Sequence, residues 1–227
     1  MTQHVLFIVT NAAVLGPKNR KVGFFFPEIA HPFEVLDQAG VAVEFASPAG
    51  GWAPFDAYDE SDPAQKAFFE SKAFRRLNRS RRLSEVDAAD YDAILVPGGL
   101  GPMADIQRNT AVQNAVVRAW TTGKIVSAVC HGPCSLLGVD LGDGVPFVQG
   151  KQLTSFSKLE EYDYAREDVP YELEDALRAE GAVYSSAANW ETHVVVDGRL
   201  ITGQNPASAG LLGKKLLEAL KTAASVA

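Results

Sequence analysis

Two cysteines, two methionines and four histidines stand among 227 residues. A pair of cysteines is too few for a disulfide framework, and the spacing of Cys130, His131 and Cys134 lacks the paired pattern of structural zinc. Basic residues are also short: 21 Lys and Arg against 28 Asp and Glu leave a net charge of −7. That balance argues against general nucleic-acid affinity, which depends on neutralising phosphates. No apolar run approaches the roughly 18 residues of a membrane span. The opening Met1-Thr2-Gln3-His4, followed by the short apolar run 5–9, lacks the basic start and long apolar stretch of a secretory signal. Repeats, low-complexity tracts and linkers are missing as well. These absences lead to the expectation of a soluble, cytoplasmic protein without nucleic-acid or membrane partners. What remains is ordinary globular composition, 47% hydrophobic and 22% charged. At roughly 150 residues per domain, the length predicts one domain over 1–227 with an insertion, large enough to bury a core unaided.

Short apolar runs alternate with helical patterns. Residues 5–9 form an unbroken apolar run, as expected of a strand buried on both faces. A helix is predicted over 27–39, stopped by Gly40, then a strand at 41–46 closed by Ser47-Pro48-Ala49-Gly50-Gly51. Further strands are expected at 93–97, ending on Gly98-Gly99, and at 125–129, ending on Cys130-His131-Gly132-Pro133. Between them Asn109 is placed to cap a helix to about Thr122. Residues 146–153 read as a strand or hairpin arm and 170–180 as a helix stopped by Gly181. Asp197-Gly198 between 194–196 and 200–202 signals a hairpin, and Asn205-Pro206 opens a last helix. The stretch 52–90 shows no strand pattern and reads as a partly helical insertion over the sheet. Strands alternating with helices predict a doubly wound α/β fold with a parallel sheet.

In such a sheet, ligands bind beyond the carboxyl ends of the strands where the strand order reverses. Glu28, Gly98-Gly99 and Cys130-His131 all fall at such ends. Cys130 lies between a strand and a helix that Gly132-Pro133 is expected to start. A thiol there would feel the helix dipole and unsatisfied amides, which lower its pKa and favour the thiolate. His131 can exchange a proton with it, and the His131 amide can face a developing oxyanion. Cys134 reads better as a small core-facing side chain than as a resolving thiol. Glu28 opens a helix with an apolar following face, so its acid serves equally well as a first-turn residue or a functional one. The basic run at 72–82 and the pair Glu160-Glu161 read as solvated faces, and His4 and His193 receive no role.

Taken together, Ala128-Val129-Cys130-His131-Gly132-Pro133, the segment from Gly23 to Glu28 with His31-Pro32, and Ala46 through Gly51 carry a specific pattern. So do Asp90-Tyr91-Asp92 leading to Pro97-Gly98-Gly99, and the late Leu200 through Ser208. Over nearly its whole length the chain resembles the ThiJ/PfpI superfamily, in its heat-shock-protein-31-type branch of cofactor-free glyoxalase III enzymes. The resemblance implies a flavodoxin-like, class I glutamine amidotransferase-like sandwich: a mostly parallel central sheet flanked by helices, assembled as a homodimer. It implies Cys130 as nucleophile on a strained elbow, Glu28 as the acid bonded to it and His131 as the histidine. Glu161, after Thr154-Ser155-Phe156, is the expected third acid ahead of Glu160, and the amides of Gly99 and His131 match the oxyanion hole. Leu100 departs from the pattern, standing where many members carry a histidine. The implied activity is conversion of methylglyoxal, a 2-oxoaldehyde, to lactate with no cofactor and no metal, a stress-response detoxification. A stress chaperone or redox sensor with an oxidisable cysteine, and a cysteine peptidase or amidase, are the alternatives. A glutamine amidotransferase is disfavoured because Val194-Val195, not x-Glu, follows His193.

Overall fold

Alternation along the first strand sets the layers. Val5, Phe7 and Val9 bury into one apolar cluster and Leu6 and Ile8 into another, because successive strand side chains point to opposite faces. In the computed structural model, which describes residues 2–226, seven strands form the central sheet. They are β1 (His4–Ile8), β2 (Ala42–Ser47), β3 (Arg81–Arg82), β4 (Ala93–Val96), β5 (Ile125–Val129), β6 (Val194–Asp197) and β7 (Leu200–Gly203). Their spatial order is β6-β7-β5-β4-β1-β2-β3. All neighbours pair in parallel except β6 and β7, which form the predicted hairpin. Gly198 takes φ +58° in its turn. The order reverses between β1 and β4, which puts a crevice at their carboxyl ends.

Helices cover both faces. The Val5 face packs against α1 (Pro27–Gln38) and the last helix, Ala209–Val226, through Ile29, Phe33, Leu36, Leu212, Leu216 and Leu220. The other face packs against Thr110–Thr121, whose Val112, Ala115, Val116 and Ala119 point inward and whose first turn is capped by Asn109 as expected. Asn205 caps a short 3₁₀ turn, Pro206–Ser208, that leads into the last helix. Among the described residues no helix is long and apolar enough to cross a membrane.

Three local expectations are corrected. The stretch 52–90 contains the helices Pro63–Glu70 and Lys72–Leu77 but also supplies the edge strand β3, whose two arginines have no apolar alternation to announce it. Its second strand, Phe55–Asp56, pairs with Phe24–Phe25. Phe24 and Phe26 thereby join Phe55, Tyr58, Phe68, Phe69 and Phe74 in an aromatic cluster. The arm at 146–153 is mostly turn: Pro146 makes an isolated antiparallel bridge to Asp140, and Gln152–Leu153 pairs in parallel with Val183–Tyr184. Finally, Gly132–Leu136 after Cys130 is a five-residue 3₁₀ turn and not an α-helix.

Candidate active site

β5 ends at Val129, and the next residue turns sharply. Cys130 sits in the left-handed region at φ +61°, a conformation costing an ordinary residue about 1–3 kcal/mol unless its surroundings enforce it. Here they do. The Cys130 N–H donates to the Gly203 carbonyl at 2.9 Å, and its own carbonyl accepts the Phe156 N–H at 2.7 Å. The loop after β4 closes against the elbow: a Cβ on Gly98 would lie 2.7 Å from Cys130 Cβ, Glu28 Oε2 and the His131 nitrogen alike. Gly99, at φ +87°, would place a Cβ 2.5 Å from the Gly23 carbonyl oxygen. Glycine at both positions lets the loop close on the elbow, with the Gly98 amide on Glu28 and the Gly99 amide at the sulfur.

Two acids flank the thiol from opposite sides. On one side His131 Nδ1 lies 3.3 Å from Cys130 Sγ, and His131 Nε2 lies 2.7 Å from Glu161 Oε2. An ionised Glu161 only accepts hydrogen bonds, which fixes the hydrogen on Nε2 and leaves Nδ1 free to take a proton from sulfur. On the other side Glu28, fully buried, accepts the Gly98 N–H at 2.7 Å. Its second oxygen has no partner of good geometry. Burial pushes the Glu28 carboxyl up to about 8, against smaller opposing pulls from Cys130 and the Gly98 amide. Cys130 is 3% exposed. Burial pushes its thiol well up, and the charges of Glu28 and Glu161 add to this while the Gly99 amide opposes it. The helix terminus expected to act on the thiol is a 3₁₀ turn instead. The 3₁₀ turn offers no helix dipole of useful length, and desolvation beside two carboxyl groups decides the sign.

The structure thus brings Cys130, His131, Glu28, Glu161 and the amides of Gly99 and His131 together. It also separates the two glutamates that the sequence left adjacent. Glu160 is buried and accepts from Ser157 N and Oγ, Gln204 Nε2, Asn205 Nδ2 and the Trp190 N–H, all between 2.8 and 3.0 Å. It is an anchor: through it Trp190, itself left-handed at φ +65°, is tied beside the site. The reading of both glutamates as a solvated face fails for the same reason, since Glu161 is buried too. Cys134 packs into the opposite apolar cluster from Cys130, its sulfur 3.4 Å from the Pro102 carbonyl, as a core side chain should. Leu100 is buried and apolar. The arginines of the basic run line a surface groove with Phe33 and Phe74, away from Cys130. His193 meets Ser185 at 2.9 Å and His4 lies on β1, neither at the site.

One wall of the site is aromatic. The Phe156 ring covers His131 at 4.5 Å and meets Trp190 at 5.5 Å and Tyr164 at 5.8 Å. Among the described residues no group of three or more His, Cys, Asp and Glu side chains could hold a metal ion.

With this geometry described, its relatives can be compared. Residues 27–219 match the DJ-1/PfpI family. The chain is 30% identical over 217 residues to the glutathione-independent glyoxalase HSP31 of Saccharomyces cerevisiae, covering 88% of this chain and 90% of that one. It is 30% identical over 203 residues to glyoxalase 3 of Candida albicans, covering 84% and 86%. The crystal structure of Candida albicans glyoxalase III superposes with a TM-score of 0.84 at 26% identity, over 96% of this chain and 97% of that one. The Francisella tularensis Rapid Encystment Protein gives 0.92 at 31% identity, over 96% and 99%.

Proposed function

The chain belongs to the DJ-1/PfpI family, and from that premise we propose that it is a glutathione-independent glyoxalase converting methylglyoxal and similar 2-oxoaldehydes to 2-hydroxy acids, lactate from methylglyoxal. The observation that carries the reading is the left-handed Cys130 held between the His131–Glu161 pair and the buried Glu28. The resemblance to enzymes named as glyoxalases supports the substrate class.

In the proposed reaction Cys130 sulfur attacks the aldehyde carbon C1 as its proton passes to His131 Nδ1. Glu161 stabilises the resulting imidazolium, as the acid of a triad does. The C1 oxygen lies against the amides of Gly99 and His131 and takes the proton from His131, giving a hemithioacetal. Glu28, with a carboxyl pKa of about 8, both takes and gives protons near neutral pH. Its ionised fraction removes the C1 hydrogen as a proton, producing an enediolate, and returns it to C2. The C1 hydroxyl proton passes to the C2 oxygen as the C1 carbonyl forms, and the product is a thioester of the 2-hydroxy acid on Cys130. Water, activated by His131, hydrolyses it and restores the thiol. Overall one water is added and nothing is oxidised or reduced in net terms.

Lactate release from methylglyoxal without glutathione, followed for wild type, Cys130→Ser and Glu28→Gln, tests the reading. Turnover by wild type alone supports it; turnover by Cys130→Ser overturns it. Peptide hydrolysis needs an open cleft, which a sulfur so enclosed does not offer. A homodimer is proposed on family resemblance, and a sedimentation mass of one chain would overturn it.

A further inference from the structure

Phe156 immediately precedes Ser157, the cap of the helix Lys158–Tyr164, and Glu161 is the fourth residue of that helix. At a capping box these two positions are neighbours, and apolar side chains often pair across them. Here both side chains meet His131 instead. Glu161 takes the Nε2 edge at 2.7 Å, and the Phe156 ring lies 4.5 Å from the imidazole with a tilt of 31°. The two rings therefore turn their faces toward each other, unlike the steep contacts at 65° and 64° that Tyr164 and Trp190 make with Phe156. The backbone holds the ring in place. The Phe156 N–H donates to the Cys130 carbonyl at 2.7 Å, the Thr154 N–H to Thr202 Oγ1 at 2.9 Å, and the Tyr184 hydroxyl to the Ser155 carbonyl at 2.8 Å.

When His131 takes a second proton, it becomes a cation cut off from solvent. His31 makes the same 2.7 Å contact with a carboxylate, Asp62, but 30% of its side chain is exposed, whereas none of the His131 side chain is. Cys130 and Glu161 occupy the two His131 nitrogens, so the flat of the ring meets protein and not water. An aromatic face carries partial negative charge and attracts a cation within about 6 Å of its centre, most strongly where water is excluded.

We propose that Phe156 is a positioning residue whose ring face stabilises the His131 imidazolium. The proposal rests on the glyoxalase reading for the reaction it serves. The imidazolium forms when Cys130 gives up its proton during attack on C1, and again when His131 takes a proton from the hydrolytic water. No proton or electron pair passes to Phe156, which acts through the charge on its face alone. Because that charge is matched only after proton transfer has begun, the ring acts on kcat more than on KM.

Replacing Phe156 with mono-, di-, tri- and pentafluorophenylalanine keeps the ring and its packing while draining charge from its face. A Cys134→Ser background leaves Cys130 as the one thiol. The expected result is a stepwise fall with fluorination in both kcat for methylglyoxal and the rate of Cys130 alkylation by iodoacetamide at neutral pH. The fall should reach about 10-fold or more for the pentafluoro ring, with KM and Tm nearly unchanged. Equal rates across the series overturn the assignment, and so does a loss that follows Tm instead of fluorine content, since that is what packing alone would give. Absence of lactate from the unsubstituted protein removes the glyoxalase reading, while the alkylation series still decides whether Phe156 stabilises the imidazolium.

Discussion

Replacing Glu28 with glutamine should remove a pH dependence of stability that wild type carries. The carboxyl has an ordinary value of 4.5 and is pushed up to about 8 in the folded chain by complete burial. For an acid raised in this way, the stabilisation is fully present below the unfolded value and is lost as pH rises through the folded one. Between the two, unfolding releases a proton and each pH unit costs the fold about 1.4 kcal/mol. From pH 5 to pH 8 the loss is therefore about 4 kcal/mol, an order-of-magnitude figure needing no discount for solvent because the group is fully buried. Glutamine titrates nothing, and its amide oxygen can still accept the Gly98 N–H. Urea unfolding of wild type and Glu28→Gln at both pH values isolates the effect, since the other titrating groups cancel in the difference. Cys130 contributes little in this window, because an unfolded thiol is still largely protonated at pH 8. The stability of Glu28→Gln relative to wild type should rise by about 4 kcal/mol from pH 5 to pH 8. A difference that stays flat within about 1 kcal/mol would show an ordinary carboxyl at Glu28 and refute the burial argument.

Glu161→Gln should lower kcat by about 10²–10⁴-fold with little change in Tm, because an amide cannot stabilise the His131 imidazolium; steady-state kinetics beside a thermal melt checks both. Glu160→Gln should behave in the opposite sense. An amide nitrogen would confront donors from Ser157, Gln204, Asn205 and Trp190, costing roughly 2 kcal/mol or more in urea unfolding, with less effect on kcat than Glu161→Gln. Gly99→Ala should lose about 10²–10³-fold in kcat as its Cβ, 2.5 Å from the Gly23 carbonyl, displaces the amide beside Cys130. Cys134→Ser should turn over like wild type, since its sulfur belongs to the opposite core cluster.

The parallel sheet was legible because buried strands leave unbroken apolar runs: the prediction at Ile125–Val129 coincides with the observed strand, and Asn109 caps where its side chain implied. Strand β3 was not legible, since Arg81 and Arg82 pair through their backbone on an edge where side chains are free to be charged. The site's members were visible as motifs, but the helix expected after Cys130 is a 3₁₀ turn. The dipole argument assumes an α-helix, and whether Gly132-Pro133 opens one or a 3₁₀ turn depends on packing against β4. The ambiguity between Glu160 and Glu161 could have been resolved from sequence. Ser157 with Glu160 three residues on is a capping box, and the structure forms it, which commits Glu160 to the backbone and leaves Glu161 for His131. Phe156 and Tyr164 of the aromatic wall left no local signal, since tertiary packing is what brings them to Trp190.

The most direct test of the central claim is a proton NMR time course of methylglyoxal with the purified chain, in buffer free of glutathione and containing a chelator. The mechanism predicts that the lactate methyl signal grows in step with the loss of methylglyoxal for wild type and stays absent for Cys130→Ser. Loss of methylglyoxal without lactate, or lactate formed equally by Cys130→Ser, would contradict it.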